Sequence, residues 1–162
     1  MKTSRHLTYH QLGRGKEAIF LHPSLGVGRF LFHRIAPMLA RSYTVVTWDP
    51  RGVGDNQHLA PRLDEWIQDV CDLVEVVDRP AHLLGVSMGT WVMARAAVKL
   101  DAAVKKVILQ GTTIRFSQAD QAIADRKQEL AQNSMAVFAK RYVGATLQPH
   151  VLPEVQKNLE DE

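Results

Sequence analysis

A single cysteine, Cys71, rules out any disulfide within the chain, which suits a reducing compartment such as the cytoplasm. There is no strong charge of one sign either. Twenty lysines and arginines stand against seventeen aspartates and glutamates, and the +3 excess is spread along the sequence. Without a basic tract there is no footprint for nucleic acid. No apolar run has the length of a bilayer span. The opening Met1-Lys2-Thr3-Ser4-Arg5-His6 carries no apolar signal stretch. A cytoplasmic location without a membrane partner is therefore expected. Metal and phosphate motifs are missing as well: there is no His-Glu-x-x-His, no cysteine pair and no G-x-x-x-x-G-K-[ST]. No metal and no cofactor are expected.

What is present is an ordinary globular composition, 46% hydrophobic and 23% charged over 162 residues, enough for one good core. Leu7 to Leu12 reads as a strand, and Ala18-Ile19-Phe20-Leu21 as a short strand buried on both faces. Ile35, Met38 and Leu39 hold helical spacing, predicting a helix that closes near Arg41-Ser42. Tyr43 to Trp48 is a second apolar, β-branched run. Leu63, Trp66, Ile67, Val70, Leu73, Val74 and Val77 share one face of a long helix that Arg79-Pro80 ends. Cys71 sits beside that face and reads as core. Trp48, Trp66 and Trp91 read as packing residues. A strand from Ala81, an alanine-rich helix after Ser87 and a strand over Val104–Leu109 complete an alternation that predicts a parallel sheet with helices on its faces. Past about Arg115 the pattern turns helical, with apolar positions at Ala119, Ala122, Ile123 and Leu130, then at Met135, Phe138, Ala139 and Tyr142. A last helix starts near Leu152-Pro153.

The chemistry concentrates at Gly85-Val86-Ser87-Met88-Gly89, between a buried strand and the next helix. G-x-S-x-G in that setting is a nucleophile elbow, where a sharp turn lifts a serine hydroxyl above the sheet. Two more loops follow strands on the same side: His22-Pro23-Ser24 and Asp49-Pro50-Arg51-Gly52-Val53-Gly54.

Together, in this order, the three loops resemble the α/β-hydrolase family, over essentially the whole chain. The cap stretch Asn133–Ala139 is similar to the branch of 3-oxoadipate enol-lactonases and related esterases. The resemblance implies a mostly parallel, incomplete α/β-hydrolase sheet of about six strands over residues 1–114, then cap helices over 115–162. It also implies a serine hydrolase of ester- or lactone-type acyl substrates. Ser87 would be the nucleophile, and the backbone N–H groups of Ser24 and Met88 the oxyanion donors. Asp49-x-Arg51-Gly52-x-Gly54 matches the family's structural turn. The departures are Pro23 for a glycine, Thr90 for a second glycine, and Asp55-Asn56 near a usual serine.

In the family the acid and the histidine of the triad follow the cap, so they are expected outside these 162 residues, and the chain reads as truncated. His150 is the one histidine after Ser87, a weak candidate base. The other histidines read as structural: His22 under the oxyanion loop, His82 at the far end of the elbow strand, and His6, His10, His33 and His58 at surface or strand positions. The same resemblance leaves Val104–Leu109 as an unpaired apolar edge and predicts self-association there. Two other readings compete. One is a non-catalytic relative that only binds. The other is a dinucleotide binder built on Gly26-Val27-Gly28 and Asp49, although Leu31 occupies its third glycine position.

Overall fold

The computed structural model describes residues 1–112, 119–134, 136, 137, 140 and 141. The chain divides into two compact units, Met1–Thr113 and Ile114–Glu162. In the first, β1 (His10–Leu12), β2 (Ala18–His22), β3 (Thr44–Thr47), β4 (Ala81–Val86) and β5 (Val104–Gln110) form one sheet in the order β1-β3-β2-β4-β5. β1 runs antiparallel to β3 and every other pair is parallel. This is the mostly parallel α/β sheet expected, with five strands and an isolated bridge between Lys2 and Thr8 among the described residues.

β2 is the axis of the sheet and all five of its residues are buried. Its side chains alternate between two cores, as a pleated strand requires. Phe20 joins Val46, Trp48 and Leu83 under α2 (Leu63–Val77) and α3 (Met88–Leu100), packed with Val70, Leu73, Met93 and Ala96. Ile19 and Leu21 face the other way, against Val45 and Phe32. The period of α2 holds, with Ile67, Val70, Leu73 and Val74 buried, and Asp78 ends the helix in a left-handed conformation just before Arg79-Pro80.

The segment before β3 differs from the sequence pattern. A 3-10 turn over Arg29–Phe32 precedes a helix, α1, of only five residues, Ile35–Leu39. Phe32 is the inward anchor, while Ile35 and Met38 are 39% and 65% exposed. A helix this short cannot turn a whole apolar stripe inward, and the upstream phenylalanine decides which side faces the sheet. Trp91 also departs from a packing role: it is exposed on α3 with the Arg95 guanidinium 5.2 Å above its ring.

In the second unit α4 (Ala119–Gln132) occupies the first predicted cap segment, with Ile123 and Leu130 exposed. The positions read at Met135, Phe138, Ala139, Tyr142, His150 and Pro153 lie outside the described residues. Among the described residues no helix is long and apolar enough to cross a membrane.

Candidate active site

β4 ends at Val86 and α3 starts at Met88, so Ser87 alone makes the turn between them. Its backbone sits at φ 52° and ψ −116°, on the side of φ that residues with a Cβ rarely adopt. The strain is held by hydrogen bonds on both sides. Ser87 N–H donates to the Gln110 carbonyl (2.9 Å), and its own carbonyl accepts from the Thr90 N–H (3.0 Å) and the Thr90 hydroxyl (2.6 Å). Thr90 is thus a fastener of the turn. The Ser87 side chain is exposed and does not cap the helix it precedes.

The two flanking glycines have no room for a side chain. A Cβ at Gly85 would stand 2.3 Å from the Gly89 carbonyl oxygen. One at Gly89 would stand 2.6 Å from the carbonyl oxygens of both His22 and Pro23. The first turn of α3 is therefore seated directly on the loop that leaves β2, whose last residue, His22, pairs with Gly85. Met88 N–H belongs to the first turn of α3, where a helix leaves its amides unpaired and its dipole positive. Neither Met88 N–H nor Ser24 N–H has an acceptor among the described residues.

His22 fixes this loop from below. Its ring is fully buried, and Nδ1–H donates to the Pro23 carbonyl (2.9 Å). Its edge meets Trp48 at 5.5 Å and 89°. Burial lowers its pKa from 6.5 to about 4, against the opposing pull of the Pro23 bond. His22 is a neutral strut.

The turn after β3 is built around Asp49. Its Oδ1 accepts the Arg29 N–H (2.7 Å) and its Oδ2 the Asp55 N–H (3.0 Å), so one carboxylate ties the exit of the β2 loop to the β3 turn. Both oxygens accept backbone amides, so the carboxylate serves as a tether of the two loops. Gly54, at φ 44°, packs where a Cβ would lie 2.4 Å from Oδ2. Asn56 is fully buried and donates to the carbonyls of Asp49 (2.6 Å) and Thr8 (2.9 Å). Arg51 clasps Asp69 of α2 with two bonds of 2.7 and 2.8 Å, both residues buried. The bond from Arg51 keeps the guanidinium charged, while burial pushes Asp69 up against the pull of that arginine.

Among the described residues no histidine or carboxylate bonds the Ser87 hydroxyl. His82 lies at the opposite end of β4, its Nε2 2.8 Å from Glu17, which also pairs with Lys105. The hydrogen bonds from Lys105 and His82 hold Glu17 down to about 2. His10 meets Asp55 (2.9 Å) and His33 stacks on Phe30. Among the described residues no cluster of ligating side chains could hold a metal ion. A groove of about 660 Å³ lies at the same far end of the sheet, lined by Cys71, Arg79, Leu100 and Lys105 among others. Cys71 is only partly buried there, and burial pushes its thiol up.

The structure thus brings Ser87, Met88 and the His22-Pro23-Ser24 loop to one end of the sheet. The sequence missed Asp49 as a tether and Asp69 altogether, and read Asn56 only as a departure at the turn without its buried role.

A family model described as the alpha/beta hydrolase fold matches residues 17–161. The putative non-heme bromoperoxidase BpoC of Mycobacterium tuberculosis (strain H37Rv) is 29% identical over 127 residues, 76% of this chain and 48% of its own length. The human serine hydrolase BPHL is 30% identical over 125 residues, 72% of this chain and 43% of its own. The chain spans about half the length of these curated relatives. The crystal structure of a hydrolase from Pseudomonas aeruginosa PA01 superposes with a TM-score of 0.84 at 25% identity, over 99% of this chain and 64% of that one.

Proposed function

The chain belongs to the α/β-hydrolase fold family, and from that premise we propose that it carries the nucleophile half of a serine hydrolase acting on ester- or lactone-type acyl substrates. Ser87 Oγ attacks the substrate carbonyl, forming a tetrahedral intermediate. The amides of Ser24 and Met88 receive the negative charge on its oxygen. Collapse expels the alcohol and leaves an acyl-serine, which water hydrolyses. Each oxyanion donor of this kind is worth about 3 kcal/mol of barrier.

The observation that carries the proposal is the Ser87 backbone. A serine with φ 52° is kept by bonds at its amide and carbonyl while its hydroxyl stays exposed. Strain of about 1–3 kcal/mol at one residue tends to gather at functional sites. The name of the human relative, a serine hydrolase, supports the same assignment. We assign the proton-accepting base and its acid to groups beyond the described residues. Without them the serine is a weak nucleophile, and an oxyanion hole with its pocket leaves only about 10³–10⁴-fold over water. The single cysteine supports placing the protein in the cytoplasm.

A second reading, a relative that binds acyl ligands without turnover, is favoured by the lack of a base at Ser87 among the described residues. A fluorophosphonate probe separates the two. Labelling of the complete enzyme, with its base, but not of its Ser87→Ala variant is the expected result. Equal labelling of both removes Ser87 from the chemistry, and no labelling of either, with both folded, supports the binding role.

A further inference from the structure

A helix draws its first carbonyl oxygens inward, along its own axis. At the start of α3 a side chain adds to that pull. The Thr90 hydroxyl donates to the Ser87 carbonyl at 2.6 Å, closer than the Thr90 N–H at 3.0 Å. Thr90 is 1% exposed, so water does not compete for the bond. A threonine that bonds the carbonyl three residues back is common in helices and often does no more than satisfy its own hydroxyl. Here the carbonyl belongs to Ser87, held at φ 52°, and it shares a peptide unit with the Met88 N–H. That unit is planar and trans, so its C=O and N–H point in opposite directions. Whatever draws the Ser87 oxygen into the helix therefore turns the Met88 N–H out of it.

We propose that Thr90 is a positioning residue for the oxyanion site: its buried hydroxyl, 2.6 Å from the Ser87 carbonyl oxygen, locks the Ser87–Met88 peptide plane and so aims the Met88 N–H at the substrate oxygen. This rests on the reading of Ser87 as nucleophile. The other peptide of Ser87 is pinned separately, its N–H donating to the Gln110 carbonyl at 2.9 Å. The first turn of α3 has no space to settle closer to the oxyanion loop, because the backbone of Gly89 already lies against the carbonyls of His22 and Pro23. What is left at the elbow is rotation of the Ser87–Met88 peptide, and relief of the positive φ of Ser87 favours it. The Thr90 hydroxyl opposes that rotation. Alignment of an oxyanion donor matters most once the charge has formed, so loss of the hydroxyl acts on kcat and leaves KM.

The test uses the complete enzyme, with its base, and 4-nitrophenyl acetate as substrate. Thr90→Val keeps the shape and removes the hydroxyl. Its kcat should fall about tenfold with KM little changed, less than the roughly 10²–10³-fold cost of deleting such a donor outright. Thr90→Ala removes the same hydroxyl with a different packing change and should lose a similar amount. Thr90→Ser restores the hydroxyl and should recover most of the rate. Circular dichroism and the unfolding midpoint are measured on each variant, so that kcat is compared where all are native. Unchanged kcat in Thr90→Val and Thr90→Ala, a loss that Thr90→Ser does not recover, or a change confined to KM would each overturn the role of Thr90. Ser87→Ala reads the underlying assignment by itself. Hydrolysis that survives Ser87→Ala removes the nucleophile and this proposal with it, whereas hydrolysis lost in Ser87→Ala but intact in Thr90→Val overturns the proposal alone.

Discussion

The carbonyl oxygen of Gly89 lies 2.3 Å from the point where a Cβ on Gly85 would stand. Neither partner can yield, because both are backbone in the strand and helix that flank the nucleophile. Gly85→Ala is therefore expected to destabilise the protein by about 3 kcal/mol, the upper end for overpacking. Gly26→Ala is the control. Its φ is positive, 71°, but a Cβ there meets nothing within 4 Å, so it should cost only about 1 kcal/mol, from backbone conformation alone. Urea denaturation of the two variants checks this, and equal losses would show that crowding is not what the elbow glycines relieve.

The Arg51–Asp69 clasp gives a second expectation. Asp69→Ala leaves a buried guanidinium with Glu65 at 3.6 Å as its nearest remaining counter-charge. Breaking a buried pair in this way costs about 3–5 kcal/mol. Replacing both partners, Arg51→Met with Asp69→Leu, should recover most of that loss because no charge is left stranded. If the double variant is as unstable as Asp69→Ala, the clasp acts by shape and not by charge pairing.

His22 makes stability depend on pH in a defined window. The unfolded ring takes up a proton near pH 6.5, whereas the buried one resists until about pH 4. Its contribution is thus complete above pH 6.5 and is lost as pH falls through that interval. The shift corresponds to about 3 kcal/mol. His22→Asn keeps a short donor for the Pro23 carbonyl and removes the titration, so its denaturation midpoint should fall less steeply between pH 7 and 4. Parallel curves for the two proteins would mean that the native ring protonates as readily as the unfolded one.

Much of this fold was legible because it rests on local pattern. The apolar run of β2, the seven-residue stripe of α2 and the Gly85–Gly89 pentapeptide each place themselves. The short α1 does not, since Ile35 and Met38 have helical spacing but Phe32, in the preceding turn, takes the inward position. The polar fasteners were hidden for another reason. Which amides Asp49 receives depends on how two distant loops approach, and sequence order does not encode that. Asp69 left a faint trace, an acid standing in a helical row with Trp66 and Leu73, both apolar. A carboxylate in such a row asks for a buried cation, and Arg51 supplies it.

Gln110 closes β5, and its carbonyl receives the amide of Ser87. One hydrogen bond therefore joins the end of that strand to the residue proposed to attack substrate. Whatever slides or clamps β5 pulls on a serine already held in an unfavourable conformation. Reactivity at Ser87 is thereby a gauge of how firmly the end of β5 is held.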